Sequence, residues 1–258
     1  MSDSVSFDRA AEYYDATRGL SDDGIRATTD ALVQVFGGAA RPVLEVGVGT
    51  GQVAVPLIAA GMNVVGLDLS RPMLAKLLQK AGPAPALVQG DAARMPWRDH
   101  AFGGAYLRWV LHLIRDWRRA VAEIVRVVEP GGSFAAALGD YGGRRSEIQA
   151  RFLEVAGGSV EPVGIAFGGW DLLDEEMSSL GARKLPDLTL EELDRDDLET
   201  FVRGIERNVH SWTWAVPDDD LRARAATEAR RWAEARWGPL DRVPRQRFEW
   251  RFARYSIT

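Results

Sequence analysis

Val43-Leu44-Glu45-Val46-Gly47-Val48-Gly49-Thr50-Gly51-Gln52 is an apolar run that ends in three alternate glycines. A strand that ends this way and turns into a helix presents free N–H groups with no Cβ in front of them, so a nucleotide-like ligand can press against the backbone. The spacing differs from the dinucleotide fingerprint, in which two residues separate the last two glycines to seat a pyrophosphate, and so points away from a nicotinamide cofactor. Asp68 closes a second apolar stretch, where its carboxylate can accept both hydroxyl hydrogens of a ribose. Asp91, in Gln89-Gly90-Asp91-Ala92, closes a third at the same rim. Taken singly, the glycines read equally well as tight turns and the aspartates as helix caps; all three in register favour a ligand site.

The elements that must hold these residues alternate. Residues 7 to 36 read as helical, with Phe7, Ala10, Ala11 and Tyr14 on one face and Ser21-Asp22-Asp23 starting a second helix that ends at Gly37-Gly38. Strands are predicted at 43–46, 63–67, 87–89, 105–107 and 133–138, with helices at 52–60, from Ser70-Arg71-Pro72 onward, and at 117–128. After Gly139 glycine pairs break the pattern, a segment suited to a mobile cover. A helix over 171–180, a strand over 182–190, a helical insertion over 194–237 and a last strand over 246–256 complete the reading. This is an α/β chain with a Rossmann-like, doubly wound, mostly parallel seven-stranded sheet and helical insertions late in the chain.

Composition excludes several classes. The chain has 258 residues, 46% of them hydrophobic, enough for one large core domain. A net charge of -5 removes the global attraction that non-specific nucleic-acid or polybasic membrane binders use. Arginines crowd the stretch from Arg222 to Arg254, but Glu228, Glu234, Asp241 and Glu249 interrupt them as on a solvated helix face. With no cysteine, thiolate metal sites and cysteine nucleophiles are ruled out. No cluster with metal-ligand spacing stands out, so no metal is expected. The N-terminus lacks a basic region followed by an apolar one and no apolar run reaches spanning length, which predicts a cytoplasmic protein with no membrane or nucleic-acid partner, either a monomer or a homodimer.

With these motifs in place, residues 7 to 139 resemble the class I S-adenosylmethionine-dependent methyltransferases, in particular the small-molecule branch that includes the quinone-biosynthesis enzymes. Glu45-Val46-Gly47-Val48-Gly49-Thr50-Gly51 is similar to that family's cofactor motif, whose acidic residue organises the cofactor's amino-acid end. The resemblance implies a cofactor site of Glu45, Gly47, Gly49, Gly51 and Gln52, with Asp68 on the ribose, Leu69 and Met73 beside the adenine, and Asp91-Ala92 at the adenine amino group. Tyr13, Tyr14 and Arg18, within or just after Phe7-Asp8-Arg9-Ala10-Ala11-Glu12-Tyr13-Tyr14-Asp15, are similar to an N-terminal helix that closes over the cofactor, and Arg108 is expected to touch it. Pro130-Gly131-Gly132 resembles the turn before the family's fifth strand. The implied cofactor is S-adenosyl-L-methionine, with S-adenosyl-L-homocysteine as product. On this reading residues 1–258 are one methyltransferase domain: 1–38 over the cofactor, 39–139 the binding core, 140–170 and 194–245 helical caps, and 246–258 the last strand.

Methyl transfer from a sulfonium is an in-line displacement that alignment and exclusion of water can accelerate without a base. Where the acceptor is a hydroxyl, His112 is the best-placed base, just beyond the fourth strand; the alternative is that it only packs there. In His210-Ser211-Trp212-Thr213-Trp214, His210, Trp212 and Trp214 form a candidate lid over a small organic acceptor, or anchor the insertion to the core. Tyr141 and Arg144 face the same rim in the family architecture. The fourth strand ends in Leu107-Arg108-Trp109 and lacks the residues that mark methylation of base nitrogens. Three alternatives stand beside O-, C- or N-methylation: a non-methylating or non-catalytic S-adenosylmethionine binder, an NAD-dependent dehydrogenase, and an RNA methyltransferase.

Overall fold

The computed structural model describes residues 4–81, 86–138, 143–157, 163–166 and 168–258. Seven strands form one sheet: β1 (Val43–Val46), β2 (Val64–Asp68), β3 (Ala86–Gln89), β4 (Phe102–Arg108), β5 (Val128–Ala137), β6 (Arg183–Leu193) and β7 (Arg247–Ser256). Their order is β3-β2-β1-β4-β5-β7-β6, with β7 antiparallel to both neighbours and every other pairing parallel. From β1 the chain winds outward to β2 and β3, then crosses back to β4 on the other side. The crevice above β1 and β4 is therefore the switch point where open α/β sheets place ligands.

Side-chain alternation along the strands builds two layers of core. Leu44 and Val46 of β1 pack with α5 (Trp117–Val127) and α7 (Trp170–Ser179) on one face. Val43 packs with α2 (Asp22–Phe36), α3 (Ala54–Ala59) and α4 (Arg71–Ala81) on the other. Helix starts follow capping chemistry: Ser21, Ser70 and Asp116 each accept the N–H of the third residue on. A third apolar cluster lies off the sheet, where α6 (Gly143–Val155), α8 (Leu198–Glu206) and α9 (Ser211–Trp214) meet α10 (Asp219–Trp237). Ala225, Ala226, Ala229 and Ala233 of α10 are fully or almost fully buried there, small side chains that let helices approach closely. The arginines of this region are largely tied to acids: Arg230 reaches Glu199, Glu206 and Glu234, Arg231 reaches Glu228 and Arg251 reaches Asp187.

Two elements differ from the expected reading. The segment before α2 is not a continuous helix but a 3-10 turn at Asp8–Ala10 and a single α turn, α1 (Tyr14–Thr17), separated from α2 by Gly19 at φ 134°. The fifth strand begins at Val128 and runs through Pro130-Gly131-Gly132, because the turn pairs its ends as Phe102 to Val128 and Gly104 to Ser133 with a register shift between them. Among the described residues no helix is long and apolar enough to cross a membrane.

The turn after β1 has the tightest steric demand. Gly47 sits at φ 72°, and a Cβ there would lie 2.4 Å from Val110 Cγ2; Gly51 sits at φ 80° with Leu77 Cγ 2.7 Å from the same position. Gly47→Ala therefore combines left-handed strain with overpacking and should cost about 3 kcal/mol in urea unfolding. Gly61→Ala, at φ 89° facing open space, should cost only about 1 kcal/mol.

Candidate active site

A cavity of about 450 Å³ opens at the switch point. Its floor is the turn after β1 and the ends of β2, β3 and β4; its roof is α1 with the residues following it, together with α8 and the 207–212 stretch. Of the residues expected to bind a cofactor, Tyr14, Arg18, Gly47, Gly49, Asp68, Leu69, Met73, Asp91, Ala92 and Arg108 line this space.

Local backbone rules explain the floor. The N–H groups of Gly47 and Val48 both donate to Leu67 O, at 2.8 and 3.0 Å, which ties the turn to the end of β2. Asp68 Oδ2 accepts the Gly49 N–H and Oδ1 the Ser70 N–H, each at 2.8 Å, so the carboxylate is held between the turn and the start of α4. Each oxygen keeps a second lone pair for a ligand hydroxyl. Burial raises the Asp68 pKa, opposed by these two backbone donors. Gly49, at φ 54°, differs from its two sister glycines: its Cβ position meets only Met73 Cε, at 3.4 Å, and Gly47 O at 4.0 Å. Asp91 Oδ1 accepts the Ala93 N–H at 2.9 Å, a turn cap at the cavity's edge.

Four expected cofactor residues lie outside the lining. Gly51 is packed under Leu77, and Tyr13 stands at the N-cap of α1, its carbonyl accepting from Thr17 Oγ1. Gln52 Nε2 donates to Arg18 O at 3.1 Å and so braces the roof. Glu45 shares the buried face of β1 with Val43, below the cavity, where Tyr106 Oη donates to its Oε2 at 2.7 Å. Burial pushes the Glu45 pKa up to about 8, against the Tyr106 hydrogen bond and the Arg108 charge, so the group is a neutral acid at pH 7. It supports the floor rather than facing the space above it.

The roof is held by residues that sequence reasoning passed over. Asp15 accepts from Thr50 Oγ1 at 2.6 Å and from Lys80 Nζ at 2.8 Å, clipping α1 to the glycine turn. Against the cost of burial, these donors hold its pKa below the usual carboxylate value. Arg195, between β6 and α8, donates to three carbonyls of the same segment: Asp15 O at 3.1 Å, Ala16 O at 2.8 Å and Arg18 O at 2.7 Å. A guanidinium there satisfies carbonyls that a helix end leaves free. Arg18 donates to Val209 O and stands over Phe7 and Trp214, with ring centroids 5.3 and 5.8 Å away. Asp15 adjoins the tyrosines of the N-terminal motif, but nothing in local sequence pairs Arg195 with a helix some 180 positions earlier.

The far half of the cavity gathers the remaining candidates. His112, His210 and Trp212 line it. Burial, reinforced by the Arg18 charge, lowers both imidazoles to about 3, so both are neutral at pH 7. His210 stacks on Trp212 at 5.3 Å and lies 5.0 Å from Phe201. Trp214 is outside the lining; it packs on Phe7 at 5.0 Å, and its indole N–H donates to Asn208 O. Arg144 is outside as well, donating to Pro244 O at 3.1 Å, while its neighbour Arg145 turns inward to Asp194 at 3.2 Å. On a helix adjacent residues point about 100° apart, so Arg145 lines the cavity and Arg144 does not. Tyr141 lies outside the described residues. Trp109, just after β4, adopts φ 57°, uncommon for a bulky residue, and its ring stacks under the Arg108 guanidinium at 3.9 Å.

Comparison with known proteins agrees with this geometry. Residues 44–136 match the family described as a methyltransferase domain. The demethylmenaquinone methyltransferase of Renibacterium salmoninarum is 34% identical over 136 residues, 51% of this chain and 56% of that protein. Over that stretch the chain is similar to methyltransferases. The phosphatidylethanolamine N-methyltransferase of Cereibacter sphaeroides is also 34% identical, over 124 residues, 46% of this chain and 59% of that one. The chain thus spans a little over half the length of the curated relatives it matches. Among solved structures the cyclase SpnF superposes with a TM-score of 0.58 at 18% identity, covering 93% of this chain and 84% of its own, a likeness of fold.

The neutral Glu45 has a measurable consequence. A carboxyl whose folded pKa is raised from 4.5 to about 8 contributes stability that is complete below pH 4.5 and lost as pH rises through 8. Glu45→Gln keeps an acceptor for Tyr106 and cannot ionise. In urea unfolding between pH 5 and 9 the wild type should lose stability relative to Glu45→Gln, by about 2 kcal/mol or more at the alkaline end; parallel curves would show that Glu45 is ionised in the folded state.

Proposed function

We propose that this chain transfers a methyl group from S-adenosyl-L-methionine to a small organic acceptor, releasing S-adenosyl-L-homocysteine. The observation that carries the reading is the join between the Gly49 turn and Asp68: an open, left-handed backbone position beside a carboxylate fixed by two N–H donors. This join suits a nucleoside whose ribose hydroxyls seek an acceptor, with Leu69 and Met73 as apolar neighbours for its base and Asp91-Ala92 at the base's edge. Arg18, whose buried Nε has no hydrogen-bond acceptor among the described residues, suits the carboxylate at the amino-acid end. When bound, the cofactor supplies an electrophilic methyl group on a sulfonium.

The chain's own contribution is position and dryness. The roof clipped by Asp15 and Arg195 keeps water from the reacting side, and Phe201, His210 and Trp212 offer an apolar wall for the acceptor. A histidine held near pKa 3 is too weak a base to remove a hydroxyl proton efficiently at pH 7, which favours acceleration by alignment over a dedicated base. The family's acceptors differ, and SpnF is named a cyclase, so the fold alone does not choose the reaction.

Calorimetry tests the donor. S-adenosyl-L-homocysteine should bind at micromolar concentrations, and Asp68→Ala should weaken it at least tenfold, about 1.4 kcal/mol or more; binding of NAD in its place would overturn the reading. For the base, His112→Asn should retain methyl transfer within about tenfold, and the wild-type rate should show no inflection between pH 6 and 7 that this variant removes.

A further inference from the structure

The acceptor half of the cavity carries more positive charge than its own acids neutralise. Six arginines line the whole space, whereas on the acceptor side only Glu192, Asp194 and Asp196 are acidic. Arg145 is matched by Asp194, and Arg195, bound to the roof carbonyls, is matched by Asp196 at 3.6 Å. Arg203 pairs with Glu199, which also meets Arg230, itself bound to Glu206 and Glu234. Arg207, one turn further along the same helix face and at its C-cap, has no ion-pair partner among the described residues. Both Arg203 and Arg207 are exposed and line the same cavity as Phe201, His210 and Trp212.

A second observation points the same way. The two imidazoles of this half, on separate elements, are kept neutral by burial together with Arg18, and for His210 also by Arg145. Burial disfavours charge of either sign, but the Arg18 and Arg145 charges act against positive charge alone, and a sulfonium donor would add to it. A ligand group that balances this field is an anion, and guanidinium pairs bind planar carboxylates well.

We infer that the acceptor is an aromatic or otherwise apolar acid, whose carboxylate is held by Arg203 and Arg207 at the cavity mouth while its body lies against Phe201, His210 and Trp212. The inference rests on the methyl-transfer reading for the word acceptor, but the subsite is testable without turnover. Arg203 and Arg207 act here as specificity-determining residues that hold one end of the ligand away from the donor.

The test uses the full chain saturated with S-adenosyl-L-homocysteine and three probes of one shape: 2-naphthoate, 2-naphthamide and 2-naphthylmethylamine. Binding followed by tryptophan fluorescence should favour naphthoate over the amide at least tenfold, with the amine weakest. The double variant Arg203→Gln/Arg207→Gln should bring the acid and amide within about twofold of each other, while leaving the S-adenosyl-L-homocysteine affinity and thermal midpoint unchanged. Phe201→Ala should weaken both the acid and the amide. Equal binding of acid and amide to the wild type, no binding of naphthoate at millimolar concentration, or a preference that survives in the double variant would each overturn the subsite. If S-adenosyl-L-homocysteine fails to bind, the same comparison is made on the unsaturated protein: loss of the donor reading and loss of the anion subsite are then read on separate axes.

Discussion

The site depends on a turn that has no room for side chains. At Gly47 the space that a Cβ would fill belongs to Val110, and at Gly51 it belongs to Leu77. Both constraints come from the protein's own packing, so the turn is already formed before any ligand arrives. Gly49, between them, is left facing the cavity with its N–H on Asp68. The two packed glycines hold the loop in its left-handed path, and the third uses that path to offer an open backbone. The demands divide: Gly51 serves packing, Gly49 access, and Gly47, tight under Val110, also lines the cavity.

The same turn organises what lies above and below it. Below, Glu45 and Tyr106 form a buried hydrogen bond between β1 and β4, made tolerable by a carboxyl that burial keeps neutral. Above, Thr50 and Gln52 reach from the turn to Asp15 and Arg18, so the floor and roof of the cavity share a few polar contacts. Arg195 adds a tie from a segment that joins the sheet to the late helices. Movement of those helices would therefore be felt by the N-terminal cover, because three of its carbonyls are bound to one guanidinium.

The two halves of the cavity are built by different logics. The half proposed for the donor uses backbone and fixed carboxylates from strand ends, an arrangement that the parallel winding of the sheet produces wherever its crossovers diverge. The half proposed for the acceptor uses side chains of α8 and the 207–212 stretch, which are held by the off-sheet cluster around α10. This division matches where the family model aligns: residues 44–136 hold the strand ends, and α8 and the 207–212 stretch lie outside it.

Strand and helix order, the seven-stranded sheet and the acids at its rim were legible in the chain because they rest on short-range rules: apolar runs, alternation, glycine turns and helix caps. The positions of Gly47, Gly49, Asp68 and Asp91 at one rim follow from those rules once the winding is right. Contacts made across long sequence separations were not legible. Arg145 lies inward where Arg144 does not, a difference of helix rotation; Glu45 lies beneath the floor because strand parity meets Tyr106 there; and Arg195 finds α1 only when the last third of the chain folds back over the first. The neutrality of His112 and His210 belongs to the same class, since it arises from burial and from the charge of Arg18, an element away from both. Local patterning determines which groups stand at the strand ends, whereas packing between distant segments sets their charge, orientation and cover.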